Sequence, residues 1–328
     1  ASGALQALCY KEEVEAALRT PGFAGFHLLG LTDFPGQGTA LVGVLDAFWD
    51  EKGYCTAERF SRSCGPTVPL ARLPRRVLRA GEELVFEPQV AHFGPAPLRA
   101  ATTWRVLDDD GGVLADGVVP GDEVPLGNQR HHDQVRVPLP AAAAPRRLRL
   151  ELVVAEEGGS GGRWANDWDL WTFPDDADDP DASDGSGSGS VPDGVVVTRD
   201  PDEAVSRAEA GDRVLLVPAA EDLRDDVALG FTPAFWNTAW TRGQAPHTLG
   251  VLHDPAHPFF EHFPSDGHTD WQWWEVLHGA RALRLDGLPD AVRPLVQPID
   301  TWFEARRLDD SSVLGEPGRG IVCPVDLM

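Results

Sequence analysis

The sequence has no run of about 18 apolar residues, so it contains no candidate for a membrane-spanning helix. Basic residues are also scarce, with 28 Lys and Arg against 52 Asp and Glu and a formal net charge of -24. A surface of this sign repels phosphate backbones. The sequence also lacks a basic amphipathic stretch that would bind a membrane surface. These absences predict a protein without nucleic-acid or membrane partners.

Cysteine is equally rare. The four cysteines are Cys9, Cys55, Cys64 and Cys323, and they form no CxxC pair and no disulfide-framework spacing. A reduced or cysteine-tolerant setting is the simplest interpretation, and a bridge between Cys55 and Cys64 is the open alternative. No cofactor is predicted.

The length of 328 residues predicts two or three domains, at a prior of about 150 residues each. The 42% hydrophobic and 24% charged content is typical of globular proteins. The patterning predicts a multidomain α/β plus all-β protein. Its segments are a barrel-like part (1–72), a β-sandwich (73–174), an acidic, Gly/Ser-rich linker (175–192) and an α/β domain (193–328).

The first segment has the order helix, strand, loop. Apolar residues recur at helical spacing from Leu5 to Leu18, and the helix breakers Thr20–Gly22 follow. The short apolar run Phe23–Leu31 is typical of a buried parallel strand, and it leads into the loop 32–38. This order predicts the tail of a (β/α)8 barrel. A complete barrel needs about 250 residues, so the segment can form only part of one.

From about Val77 the pattern changes to short alternating runs separated by turn signals. About seven strands over roughly 100 residues predict an immunoglobulin-like sandwich. The predicted hairpin turn is Asp109–Gly112. The clearest strands are Leu84–Val90, Trp104–Val106, Val135–Leu139, Leu148–Val154 and Trp168–Pro174.

After the linker, a strand at Gly194–Thr198, a helix at Asp202–Ala210 and a second strand at Arg213–Val217 follow in short succession. The Asp-Pro-Asp sequence at residues 200–202 is the predicted cap of that helix. This order is typical of the βαβ unit of an open parallel sheet. Arg319–Met328 has the pattern of a further strand, cut near its end.

The loop after the barrel-like strand holds the first candidate site. Barrel enzymes carry their chemistry on the loops at the C-terminal ends of strands, so we predict that Asp33 and Gln37 bind a substrate hydroxyl. The alternative is a tight Pro-Gly turn in which Asp33 caps the backbone.

The run Gly25–Asp46 (GFHLLGLTDFPGQGTALVGVLD), with Phe48–Trp49 and Lys52–Tyr54 after it, closely resembles glycoside hydrolase family 2, the β-galactosidase and β-glucuronidase superfamily. In that family the run corresponds to the last barrel strand and its loop, and the start of this chain to the helix before it. The resemblance extends over most of the chain, through Thr67–Leu73, Asn166–Trp168 and Phe235–Thr238.

The resemblance implies retaining hydrolysis of β-linked sugars by two glutamates roughly 5 Å apart. Both would come from earlier barrel strands, so no catalytic residue is assigned here and the chain alone is expected to be inactive. Its implied partners are a carbohydrate substrate, near Trp49, and the absent N-terminal barrel segment. The alternative is a non-catalytic carbohydrate-binding or interaction module.

The last domain is rich in tryptophan. Tryptophan faces stack on sugar rings while amides bind the hydroxyls, so we predict that side chains of this domain contact sugar, with core packing as the alternative. The predicted residues are Trp236, Asn237, Trp240, Trp271, Trp273 and Trp274. The domain is also expected to be a flavodoxin-like or glutamine amidotransferase-like accessory domain without that chemistry, because Cys323 lacks elbow glycines.

Histidines are concentrated near the tryptophans, at His253, His257, His262 and His268. Prolines interrupt any helix that would align them, and the HExxH spacing is absent. We therefore predict loop histidines and no metal site.

Overall fold

The computed structural model describes residues 1–34, 42–121, 123–158, 161–174, 194–218, 223, 227–229, 248–278, 280–285, 294–300 and 308–310. The described chain is mostly β-sheet with few helices. It divides into two compact units. The sandwich unit holds Gln6–Asp175 with His262–Pro264, and the second unit holds Ala1–Leu5, Asp176–Glu261 and Ser265–Met328.

Helix α1 (Ser2–Arg19) forms where the apolar spacing predicts it. It ends at the breakers, where Gly22 adopts a φ of 75° that a side chain would disfavour. The carbonyl of Thr20, just beyond the helix, accepts hydrogen bonds from the Phe23 amide at 3.1 Å and from Asn128 Nδ2 at 2.6 Å. A short helix, α2 (Ala57–Ser61), follows further along the chain.

Ten strands are described in the sandwich unit, more than the seven that the alternation predicts. They are β1 (Thr67–Arg72), β2 (Val77–Arg79), β3 (Glu83–His92), β4 (Leu98–Asp108), β5 (Val113–Val119), β6 (Glu123–Val124), β7 (Gly127–His131), β8 (Val135–Pro138), β9 (Arg146–Glu156) and β10 (Arg163–Phe173).

These strands form two sheets. One has the order β1-β3-β7, with β8 also pairing with β3, and the other has the order β2-β10-β9-β4-β5, with β6 pairing with β4. Side chains from both sheets, such as Phe86 from the first and Leu150 from the second, share one buried core. Two sheets around one core make this unit a β-sandwich.

The hairpin between β4 and β5 forms at the predicted turn. Asp108 Oδ1 accepts a hydrogen bond from the Gly112 amide at 2.6 Å, and Gly111 has a φ of 81°. Because left-handed backbone favours glycine, the Asp-Gly sequence determines this turn locally.

Helix α1 packs on the outer face of the smaller sheet. Its Val14 and Leu18 form a buried cluster with Val68, Leu70 and Ala91 of β1 and β3. The helix thereby covers the face of β1 that points away from the sandwich core. Strand β1 is therefore buried on both faces. It belongs to a sheet of the sandwich, although it lies within the predicted barrel part (1–72).

The buried strand predicted for Phe23–Leu31 is wrong. These residues belong to no strand, and Phe23, Phe26 and Leu29 are 46%, 41% and 95% exposed. A buried parallel strand needs neighbours on both sides and cover on both faces. The pairing nearest to this run is a single parallel bridge between Thr32 and Leu45.

In the second unit, β11 (Val195–Thr198), α3 (Pro201–Glu209) and β12 (Arg213–Leu216) form the predicted βαβ unit, with the two strands parallel. Asp200 caps the helix by accepting from the amides of Asp202 and Glu203, and Pro201 follows it at the first helical position.

The other described elements of this unit are β13 (Val227–Ala228), β14 (Thr248–Leu252), α4 (Trp273–Leu277), β15 (Arg281–Arg284), β16 (Gln297–Asp300) and β17 (Leu308–Asp310). Pairing is antiparallel in the order β13-β15-β17 and between β14 and β16. The predicted linker 175–192 and the predicted strand Arg319–Met328 lie outside the described residues.

No helix in the described ranges is both long enough and apolar enough to cross a membrane.

Candidate functional site

Asp33 lies at the centre of a folded turn in the sandwich unit. It is buried, with 7% of its surface exposed, and its Oδ1 accepts from the Gly43 amide at 2.9 Å and from Lys52 Nζ at 2.6 Å. Lys52 Nζ also donates to the Gly43 carbonyl at 2.9 Å. The carboxylate therefore caps a backbone amide, as the alternative interpretation of this residue expects.

Gly43 is required by the close approach of the two arms of this turn. A Cβ at this position would lie 2.1 Å from the carbonyl carbon of Thr32 and 2.2 Å from the amide nitrogen of Asp33. Both atoms are backbone, so neither can move aside as a flexible side chain would. The turn therefore accepts only glycine here.

Helix α1 supports the same turn from behind. Gln6 Nε2 donates to the Val42 carbonyl at 2.6 Å, and the Tyr54 hydroxyl donates to Gln6 Oε1 at 2.6 Å and to the Gly43 carbonyl at 3.1 Å. Burial raises the pKa of the Tyr54 hydroxyl to about 12, and the negative charge of Asp33 adds to the effect. Tyr54 is therefore a neutral donor that fixes the turn.

Trp49 occupies a second turn, built around Asp46. Asp46 Oδ1 accepts from the amides of Phe48 and Asp50 at 2.8 and 2.9 Å. Trp49 has a φ of 73° and is the one non-glycine residue with positive φ among the described residues. A bulky residue in left-handed backbone is strained, and such strain is concentrated at functional sites.

The side chains of this turn project into solvent. Trp49 is 70% exposed and Phe48 is 83% exposed. The Asp46 turn thus presents two largely exposed aromatic rings, in a backbone conformation that disfavours one of them. An exposed aromatic face of this kind can stack on a sugar ring or pack against another protein segment.

The predicted site residues are only partly brought together. Asp33 and Trp49 lie on adjacent turns of the sandwich unit, whereas Gln37, Trp236, Asn237 and Trp240 lie outside the described residues. Trp271, Trp273 and Trp274 belong to the second unit.

The tryptophan rings of the segment Trp271–Trp274 differ in burial. Trp273 is fully buried, whereas Trp274 is 39% exposed. The Trp274 ring stacks on His278, with centroids 4.9 Å apart and planes at 10°, and lies 6.1 Å from the Trp271 ring. Trp273 is therefore a packing residue, and Trp274 is the member that can meet a ligand.

The four predicted loop histidines, His253, His257, His262 and His268, lie outside helices and strands, as predicted. His253 is 6% exposed, its ring packs 4.6 Å from Phe260 and 5.1 Å from Trp273, and its Nε2 lies 3.0 Å from Ser265 Oγ. Burial, together with a smaller effect of His268, lowers the pKa of His253 to about 4. His253 is therefore neutral at pH 7 and serves the core.

No group of three or more His, Cys, Asp and Glu side chains within the described ranges is arranged to hold a metal ion. Cys9, Cys55 and Cys64 are free thiols, so the alternative of a Cys55–Cys64 bridge is wrong. Burial raises the pKa of the Cys9 thiol to about 11, and Glu13 and Glu12 add to the effect, so this thiol is not a nucleophile at neutral pH.

A buried ionic cluster joins α1 to the sandwich. Glu15 is fully buried; its Oε1 accepts from Asn166 Nδ2 at 2.8 Å and its Oε2 from Trp168 Nε1 at 2.9 Å. Lys11 and Arg19 pair with it from one helical turn on either side. Lys11 also donates to Asn166 Oδ1 at 2.9 Å and lies 4.7 Å from the centre of the Trp168 ring.

Burial acts to raise the pKa of Glu15, but the charge of Lys11 and the hydrogen bonds from Lys11, Trp168 and Asn166 outweigh it and lower the pKa. The carboxylate is therefore ionised and has no open face for a substrate. Sequence reasoning missed this cluster; its one local signal is the spacing of Lys11, Glu15 and Arg19, four residues apart.

Models of two families match parts of the chain. Residues 195–326 match the domain of unknown function DUF8487, and residues 82–174 match the domain of unknown function DUF8488. No curated protein matches the sequence.

Solved structures share limited similarity with the chain. AlkC, an alkylpurine DNA glycosylase of Pseudomonas fluorescens, is 14% identical over 36% of this chain and 33% of its own, with a TM-score of 0.26. Spo0M, a sporulation control protein of Bacillus subtilis, is 12% identical over 33% and 50%, with a TM-score of 0.27. Beta-glucuronidase 2 of Bacteroides uniformis is 14% identical over 31% and 12%, with a TM-score of 0.24. The chain thus spans a third of AlkC and half of Spo0M.

Proposed function

We propose that this chain is the C-terminal portion of a retaining glycoside hydrolase that acts on β-linked sugars. A barrel segment outside this chain carries its acid/base and nucleophile glutamates. The observation that carries the proposal is the exposure of apolar side chains in the family 2-like segment. Phe23, Phe26, Leu29, Phe34, Phe48 and Trp49 are between 41% and 95% exposed.

This exposure belongs to a segment with an ordered support. Asp33, Gly43 and Lys52 are joined by hydrogen bonds of 2.6 to 2.9 Å, so the turn next to the apolar run has a fixed geometry. A concentration of exposed apolar side chains on a defined backbone marks a surface that another segment covers. The neighbouring strands and helices of a barrel would provide that cover.

The strained turn at Trp49 is the part of this chain that would contact the sugar. An indole held at positive φ and exposed to solvent suits stacking against a pyranose ring at the rim of the pocket. Asp33 contributes indirectly in this proposal: its carboxylate joins residues 33 and 43, which flank in sequence the segment containing Gln37, the predicted ligand of a sugar hydroxyl.

The finer fold assignment belongs to the same proposal. Within the predicted barrel part (1–72), we assign the residues that precede β1 to the end of the barrel, and we assign the second unit to an amidotransferase-like accessory domain. The parallel β11-α3-β12 unit supports an open α/β sheet in that domain.

A non-catalytic carbohydrate-binding or interaction module is the second candidate. The observation that favours it is the stacked Trp274–His278 pair, which presents a flat aromatic surface within the second unit itself. In this case sugar binding would depend on Trp274 and would need no barrel.

The test begins with the coding sequence upstream of Ala1, in which we expect an in-frame barrel with a glutamate at two strand ends. The chain alone should show no turnover of aryl β-glycosides, and the chain joined to that barrel should show robust turnover. Turnover by the isolated chain, or an upstream sequence without a barrel, would contradict the proposal.

A pair of variants separates the two candidates. Replacing Trp49 with Ala in the complete enzyme should lower kcat/KM for aryl β-glycosides by about two- to tenfold, because aromatic stacking contacts are worth about 0.5–1.5 kcal/mol. Phe93, 43% exposed elsewhere on the sandwich unit, gives a matched control that should leave turnover unchanged on replacement with Ala. Sugar binding lost with Trp274 and retained without Trp49 would favour the module.

A further inference from the structure

Two strands of the sandwich end on a polar pair that faces inward. In the antiparallel pairing of β9 with β10, Leu150 lies opposite Trp168, Leu148 opposite Leu170, and Arg146 opposite Thr172. Residues two apart on a strand share a face, so Arg146 and Thr172 continue the row whose other members form the core. A guanidinium and a hydroxyl therefore close one end of an apolar interior.

The polar atoms of this pair lack hydrogen-bond partners. Thr172 is 1% exposed and its hydroxyl has no partner among the described residues. Arg146 Nε and Nη2 are likewise buried and have none within the described chain. Buried polar groups almost always have a partner, so three unmatched atoms on one cross-strand pair indicate a ligand position.

Other arginine side chains in the sheet of β9 and β10 pair with carboxylates. Arg147 lies on the opposite face of β9, where its Nη2 donates to Asp169 Oδ2 at 3.1 Å across the same two strands. Arg105 and Glu151 pair in the same manner at 2.5 Å. Each of these guanidinium groups has a carboxylate, whereas Arg146 faces a threonine.

The two unmatched nitrogens of Arg146 define the ligand. Nε–H and Nη2–H point the same way along one edge of the planar guanidinium, which is the edge that binds both oxygens of a carboxylate. The Thr172 hydroxyl can donate a third hydrogen bond to either oxygen. A single cation in a chain with a net charge of -24 suits a monoanion better than a dianion.

We propose that Arg146 and Thr172 form a carboxylate-binding site at the end of the sandwich core. Arg146 binds the carboxylate through Nε–H and Nη2–H, and Thr172 completes the site. This inference is independent of sugar hydrolysis. The ligand is a free monocarboxylate.

The test is a titration of the full chain with sodium acetate at constant ionic strength, followed by NMR of the arginine Nε–Hε signals. The Arg146 signal, identified by its loss in Arg146→Lys, should shift in a saturable manner. Thr172→Val should raise the apparent dissociation constant about fivefold, since it removes one hydrogen bond. Arg147→Gln, on the opposite face, is the control and should leave the titration unchanged.

An Arg146 signal that does not respond to acetate, or that shifts without saturating, would overturn the proposal. Loss of the response in Arg147→Gln would also contradict it, because that arginine lies on the opposite face of β9.

Discussion

The carboxylate of Glu15 accepts a hydrogen bond of 2.9 Å from the indole nitrogen of Trp168, a residue 153 positions away in the sequence. This contact joins α1 to β10 through a group that is fully buried. The two cations beside it, Lys11 and Arg19, lie on the same helix as Glu15. The cations that pair with Glu15 therefore come from α1 itself, and its hydrogen bonds with Asn166 and Trp168 cross to the sandwich.

Replacing Glu15 with Gln should destabilise the sandwich unit by about 3–5 kcal/mol, the usual cost of breaking a buried ion pair from one side. The amide side chain would keep the shape of the carboxylate but remove the buried charge that Lys11 and Arg19 pair with. Urea unfolding followed by tryptophan fluorescence measures the loss. The exposed neighbour Glu13 is the control, and Glu13→Gln should change stability by less than about 0.5 kcal/mol.

The same cluster predicts an acid dependence. Because the pKa of Glu15 is lower in the folded than in the unfolded chain, its contribution to stability is present above the unfolded pKa. That contribution is lost as the pH falls through the folded pKa. The stability difference between wild type and Glu15→Gln should therefore shrink in acid, and a difference that is constant with pH would contradict this account.

Two glycines near the Asp33 turn should respond in opposite ways to alanine. A Cβ at Gly43 would meet backbone atoms at 2.1 and 2.2 Å, whereas at Gly30 the nearest atom is the Thr32 carbonyl oxygen at 3.6 Å. Gly43→Ala should open the turn and expose residues around Asp33 to limited proteolysis. Gly30→Ala should leave the cleavage pattern of the wild type, and equal cleavage of both variants would show that the close approach is unimportant.

Elements specified by neighbouring residues could be predicted from the sequence. The cap at Asp200, the Asp-Gly turn at Gly111 and the helical spacing of α1 are local signals, and each element forms at the predicted position. The patterning of the sandwich strands was equally informative because alternation reports burial of one face.

Features that depend on distant partners could not be predicted in this way. A glutamate on a helix is exposed by default, and nothing in α1 indicates that Asn166 and Trp168 bury Glu15. The prediction of a buried strand at Phe23–Leu31 was wrong because it assumed distant partners. Its apolar pattern indicates that the run is suited to burial, but a pattern cannot supply the adjacent strands that burial requires.

His253 should make the second unit sensitive to mild acid. Its pKa of about 4 in the folded chain is below the ordinary value of 6.5, so the unfolded chain binds the extra proton between these values. Its contribution is fully present above pH 6.5 and is lost as the pH falls towards 4. The slope should reach at most about 1.4 kcal/mol per pH unit.

The variant His253→Gln should remove that slope, as measured by denaturant unfolding at several pH values between about 4 and 7. His262, which is exposed, provides the control, and His262→Gln should keep the slope of the wild type. A slope that persists in His253→Gln would assign the acid sensitivity to other groups.

The adjacent tryptophans Trp273 and Trp274 should separate folding from binding. Trp273 is fully buried against His253, so Trp273→Ala should cost about 3–5 kcal/mol through the cavity that it leaves. Trp274 is 39% exposed and stacks on His278, so Trp274→Ala should cost far less. If the stacked pair binds sugar, Trp274→Ala should weaken binding of β-linked oligosaccharides in calorimetry while the unfolding midpoint stays near that of the wild type. Parallel loss of binding and stability in Trp274→Ala would make this ring a packing residue like its neighbour, and the sugar contact would then depend on Trp49.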